Sequence, residues 1–166
     1  MAILAMGAAT LAMEPNAAGD IPDTQAFVVY RVPGTYRVEA PEGWARTIRG
    51  ATVTFSDKFD GESVTVLRHV RPSDDRAELA VARGEAHGVG RIAVSSAMLP
   101  AGRAIVLTYT SNSPPNPVTG RQVQLENQRF IFRRRDHLAR LTLWAPVGSD
   151  NVDQWRRIAR SFRWEG

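Results

Sequence analysis

The chain contains no cysteine. That excludes disulfide frameworks, thiolate metal sites, thiol nucleophiles and, within this stretch, a lipid-modified cysteine. Lysine is nearly absent: of 21 basic residues only Lys58 is a lysine, and the rest are arginine. The formal net charge of +4 therefore rests on arginine, which stays protonated throughout the working pH range. So lopsided a ratio reads as the bias of a GC-rich genome rather than as selection for phosphate binding. Long apolar runs are missing as well. The best candidate, residues 1–13 (MAILAMGAATLAM), is too short to span a bilayer as a helix.

Catalytic motifs are also lacking. His69, His87 and His137 are widely separated and form no HExxH pair. There is no GxSxG, and Ser95-Ser96 lies in a predicted strand with no base nearby in sequence. Gly88-Val89-Gly90 neither continues as GxGxxG nor opens a helix. Asp57, Asp60 and Glu62 are close in sequence but do not follow the EF-hand pattern. They read as a solvated acidic hairpin turn. No catalytic, metal-ligating or cofactor-binding residue is expected, and no cofactor.

What is present is a globular composition. With 166 residues, 43% hydrophobic and 23% charged, the chain suits one domain with a core large enough to stand without staples. Residues 1–20 read as a flexible tail. Within it, 1–13 resembles the apolar part of a signal or anchor, and Glu14–Asp20 reads as a linker. The domain is expected over residues 21–166.

A short apolar run predicts a strand at Ala26–Arg31, and alternation predicts strands at Tyr36–Ala40, Ala51–Phe55 and Val64–Val70. The second pair forms a hairpin across Asp57–Glu62. Ser73 followed by acids starts a helix over Asp74–His87, with a modest stripe at Leu79, Ala82 and Ala86. Four more strands follow at Arg91–Met98, Arg103–Thr110, Val123–Arg134 and Leu138–Ala145. A proline-rich loop separates the middle two. The last helix, Asn151–Arg163, is capped by Ser149-Asp150 and buries Val152, Trp155, Ile158, Ala159 and Phe162. The order is that of an α+β domain: a twisted antiparallel sheet flanked by helices and closed by the C-terminal one.

Two surfaces stand out. Pro114, Pro115, Asn116, Pro117 and Arg121, with the partly exposed Trp144 and Trp164, form a candidate interaction surface. Arg133, Arg134 and Arg135, with Arg156 and Arg160, form a candidate anion patch for phosphates or lipid headgroups. Its competing reading is a solvated arginine face. His69 reads as a hydrogen-bonded histidine on a strand face, and Trp44 and Trp155 as core residues.

The run Tyr36-Arg-Val-Glu-Ala-Pro41-Glu-Gly-Trp44, then Val53-Thr-Phe55-Ser-Asp57 and Val64-Thr-Val66, resembles the opening of the PsbP/Mog1-like fold. Asn151-Val152-Asp153-Gln154-Trp155 and the closing Ser161-Phe162-Arg163-Trp164 are similar to that family's terminal helix. Pro115–Arg121 looks like a loop of actinobacterial PsbP-like lipoproteins. The resemblance covers about residues 26–165 and implies an α/β/α sandwich. PsbP proteins assist photosystem II, Mog1 binds a small GTPase, and the actinobacterial members are envelope proteins. Several tasks share this fold, so no single task carries over. The expectation is a non-catalytic binding or accessory domain of the bacterial cell envelope that takes a protein or a small apolar ligand. It is expected to be monomeric and to bind no specific nucleic acid, with membrane proximity only through an upstream segment. A cytoplasmic Mog1-like binding module is the alternative, and an enzyme of unidentified class comes third.

Overall fold

The computed structural model describes residues 19–70 and 75–166. Ten strands and two helices follow one another: β1 (Phe27–Val32), β2 (Tyr36–Pro41), β3 (Ala45–Arg49), β4 (Thr52–Asp57), β5 (Asp60–Leu67), α1 (Asp75–Glu85), β6 (Ile92–Leu99), β7 (Gly102–Asn112), β8 (Gln124–Arg134), β9 (His137–Pro146), α2 (Val152–Ser161) and β10 (Arg163–Trp164). Where one sheet was expected there are two. Seven strands are ordered β3-β4-β5-β9-β8-β7-β6, and three are ordered β1-β2-β10, every pair antiparallel.

Alternation along the central strands sorts side chains to two faces. One face of the large sheet presents Val64, Val106, Phe130, Phe132, Leu141 and Leu143 to α2 and the small sheet. The other presents Leu107, Tyr109, Ile131 and Leu138 to α1. The result is a helix–sheet–helix sandwich in which the small sheet shares the layer of α2. Phe162, just past α2, fills the centre of the first interface. Its ring stacks on Phe132 at 4.8 Å and on Tyr36 at 5.7 Å.

Helix α1 has too thin an apolar stripe to dock by burial alone. Ion pairs supplement it. Glu78, fully buried, receives Arg140 from β9 through two hydrogen bonds of 2.7 and 3.2 Å. Glu85 receives Arg129 from β8 at 2.7 Å. The Pro72-Ser73-Asp74 start expected for this helix lies outside the described residues.

The closing helix corrects the expectation in three ways. Its N-cap is Asn151, not Ser149-Asp150, and that side chain makes no capping bond. Asn151 instead grips the backbone of residues 19 and 21. Val152 is 61% exposed, whereas Gln154 is buried in its place, donating to the Ile21 carbonyl at 3.1 Å and to Asp23 at 3.0 Å. The helix ends at Ser161, and Arg163–Trp164 turns into a strand pairing with Arg37 and Tyr36. Trp155 and Trp44 are half-buried at the edges of their clusters.

The hairpin between β4 and β5 is tighter than expected. Asp57 pairs directly with Asp60 across a two-residue turn, with Lys58 at φ 50°. Asp60, Gly61 and Glu62 therefore belong to the strand. Beyond Leu67 the chain leaves the sheet: His69 has φ 57°, and its side chain is exposed against Asp136 at 2.9 Å. It is hydrogen-bonded, but on a turn rather than a strand face.

Candidate binding cleft

The free edge of β1 lies across a groove from the β3–β4 hairpin. Tyr30 divides this groove, its ring meeting Phe55 edge-on at 5.2 Å beneath the guanidinium of Arg46 at 5.4 Å. One half, about 430 Å³, is lined by Val28, Tyr30, Pro41, Trp44, Arg46 and Phe55 among others. The second, about 280 Å³, is lined by Tyr30, Val32, Ile48, Val53, Val66 and Arg68 among others. Neither lining includes a carboxylate. Val28 is 47% exposed and Ile48 is 58% exposed. Arg46 and Arg68 stand at the groove, Arg68 held by the Thr35 hydroxyl at 2.9 Å. The surface is aromatic, mainly apolar beside Ile48 and mixed in polarity beside Trp44, with a cationic rim, the chemistry of a recognition cleft.

Sequence reasoning missed this cleft because β3, with every residue exposed, shows no alternation. A signal did exist in Phe27-Val28-Val29-Tyr30. Four apolar residues in a row on a short strand imply that one face stays uncovered unless the strand is central, and β1 is an edge.

The residues singled out from sequence fall into separate places. Pro114, Pro115, Asn116, Pro117 and Arg121 are exposed on the β7–β8 loop. Asn116 organises that loop, its Oδ1 accepting the N–H groups of Val118 and Thr119 at 2.9 Å. Trp144 lies toward the same end of the sheet, opposite Asn127 on β8 and Gly61 on β5. Its ring covers Gly61 so closely that a Cβ there would overlap ring carbon Cζ2. Trp164 is at the other end, lining a small pocket of about 130 Å³ with Arg134, Arg135 and His137. Arg133 lies within 4.0 Å of Glu78 beneath α1. Arg156 pairs with Asp153 at 2.8 Å along α2, and Arg160 is exposed on the same helix. The structure thus brings Arg134 and Arg135 together with Trp164, and neither Arg156 nor Arg160 lines that pocket.

Of the acids expected in a solvated turn, Asp57 is exposed, but Asp60 and Glu62 are buried. Glu62 is fully buried, and neither carboxylate oxygen has a hydrogen-bond partner. Burial pushes its pKa well above the usual carboxylate range. Asp60 is pushed up to about 7, first by burial and then by neighbouring Asp57. The hydroxyl of Tyr36, also buried and unpartnered, is raised by burial and, to a lesser extent, by Tyr30 and Glu62. Among the described residues no group of three or more His, Asp or Glu side chains is placed to hold a metal ion.

No protein-family model and no curated protein matches the chain. Solved structures do. The Saccharomyces cerevisiae Ran-binding protein Mog1p superposes with a TM-score of 0.54 at 10% identity, over 84% of this chain and 96% of that one. Cyanobacterial PsbP (CyanoP) from Synechocystis gives 0.58 at 15% identity, over 90% and 98%. The fold is PsbP/Mog1-like. A Bacteroides thetaiotaomicron protein gives 0.54 at 7% identity over 83% of this chain, which spans only 48% of its length. Identities this low speak to fold alone. In the PsbP/Mog1-like frame of this chain, the Tyr30 cleft lies between β1 of the small sheet and β3–β4 of the large sheet.

Proposed function

We propose that this chain is a non-catalytic binding module of the bacterial cell envelope. It would use the Tyr30 cleft to hold an apolar or aromatic segment of a protein partner, with acidic flanks facing Arg46 and Arg68. One observation carries the reading: a two-part groove about Tyr30 that joins aromatic side chains with an apolar half beside Ile48, lined without carboxylates and rimmed by arginine. The description of Mog1p as Ran-binding supports a protein as the occupant over a substrate. A small apolar ligand is the second reading, favoured by the volume of the half beside Trp44. The apolar stretch at residues 1–13, which reads as the core of an export signal, supports the envelope. A cytoplasmic module of the Mog1 kind is the alternative.

The cleft is tested with anilinonaphthalene sulfonate, an apolar aromatic probe carrying one negative charge. Saturable binding to the folded protein is expected, weakened at least tenfold by Ile48→Asp or Trp44→Ala. Binding that is unchanged in both folded variants would reject the cleft. Location is tested separately by fusing the full gene product to a reporter active only outside the cytoplasm.

A further inference from the structure

Open sheets need protection at their edges, because an unpaired strand is a template for another strand. Among the described residues, three of the four sheet edges have it. Strand β3 is five residues long and carries Arg46 and Arg49. Strand β1 carries Arg31, and β10 has only two residues. Strand β6 is different. It runs eight residues, Ile92-Ala-Val-Ser-Ser-Ala-Met-Leu99, with no charge and no proline. Its pairing with β7 runs without a bulge from Ile92–Tyr109 to Leu99–Gly102. It closes the large sheet on the side away from the cleft. Val94 and Met98, on the same face of the strand as Ser96, are 42% and 76% exposed.

We propose that β6 is a homodimerisation edge, pairing antiparallel with β6 of a second copy about a two-fold axis at Ser96. The occupant is a second copy because the strand complements itself. In an antiparallel pair related by a two-fold normal to the sheet, residues directly opposite share a face. An axis at Ser96 sets Ser96 opposite its own mate, Val94 opposite Met98, Ser95 opposite Ala97, and Ala93 opposite Leu99. The two exposed apolar side chains thereby cover each other. Moving the axis to Ser95 instead sets Arg91 against Leu99. With the Ser96 axis no charged residue of the strand meets its like, and the paired sheets become one of fourteen strands. An edge of eight residues buries less than the roughly 800 Å² per partner of a standard interface, so the association is concentration-dependent. It departs from the monomer expected from sequence and does not depend on the cleft.

The absence of cysteine makes the test clean. Sedimentation velocity across a concentration series should show a monomer–dimer equilibrium that Ser96→Lys abolishes by setting two lysines directly opposite. Ser96 is exposed and loses only a long 3.4 Å bond from Arg103, so the variant should melt close to the wild type. Under mild oxidation Ser96→Cys should form a disulfide-linked dimer. Met98→Cys should not, because its mate is displaced along the partner strand. A protein monomeric at every concentration, with neither cysteine cross-linking, overturns the proposal. So does a dimer that persists in Ser96→Lys, or cross-linking of Met98→Cys in preference to Ser96→Cys.

Discussion

The side-chain amide of Asn151 holds Ile21, 130 positions earlier in the chain, its Oδ1 accepting the Ile21 N–H at 2.7 Å. Its Nδ2 donates to the Gly19 carbonyl at 2.7 Å and reaches Asp60 at 3.5 Å. The residue that sequence places at the head of the helix thus ties the start of the domain to its end. Asn151→Ala leaves the buried Ile21 N–H without its partner. It should cost about 2 kcal/mol in urea unfolding, with hydrogen exchange at Ile21 accelerated by more than that at α2. A variant as stable as the wild type would show that the clasp contributes nothing.

The buried acids set a pH dependence whose sign follows from their shifts. Asp60 rises from 3.8 to about 7, and Glu62 rises as well. Each therefore binds its proton more tightly folded than unfolded. The contribution of Asp60 to stability is full below about pH 4 and is lost as the pH rises toward about 7, and that of Glu62 falls in the same direction. Asp60→Asn should flatten that fall, so its advantage over the wild type grows with pH. Glu62→Leu, which replaces an unpartnered carboxyl with an apolar group, should raise the melting temperature more near neutrality than in acid. Advantages that do not change with pH would contradict the assignment.

Helix α1 docks through a thin apolar stripe together with partly buried charge pairs. Glu78→Ala strands Arg140, whose side chain is only 12% exposed, and should cost about 3 kcal/mol. Added salt should change this cost little, since buried pairs are poorly screened. Arg156→Ala breaks an exposed pair within α2 and should leave stability unchanged within error. Equal effects in the two variants would show that burial does not set the value of these pairs.

Gly61 and Trp144 should behave as a coupled pair. Gly61→Ala puts a methyl into the indole ring and should destabilise by about 2 kcal/mol or more. Trp144→Ala removes the obstacle, so the double variant should be less destabilised than the two single costs summed. Additive costs would mean that the ring moves aside freely.

Much of the fold is legible in sequence, because alternation in β2, β4 and β5 and the apolar runs of the doubly covered β8 and β9 report burial. The strands that sequence missed are those without that signal. Strand β3 is exposed at every residue, and β10 is two residues annexed by β2. The cleft was partly legible in the apolar run of β1 and in Trp44. Its far wall was not, since Ile48 sits in a strand with no alternation to mark it.

The sequence by itself determined the antiparallel α+β architecture, the closing helix and the absence of thiol chemistry, because periodicity and composition act locally along the chain. Only the tertiary structure decided what the polar residues do. The same arginine is a surface charge or a helix dock depending on whether a glutamate from α1 arrives above it, as Glu78 does over Arg140. Asp60 and Glu62 read as turn acids in one dimension. They are buried because a two-residue turn draws them into β5 beneath α2 and the small sheet. Desolvation depends on what packs from elsewhere in the chain, and no local pattern encodes it.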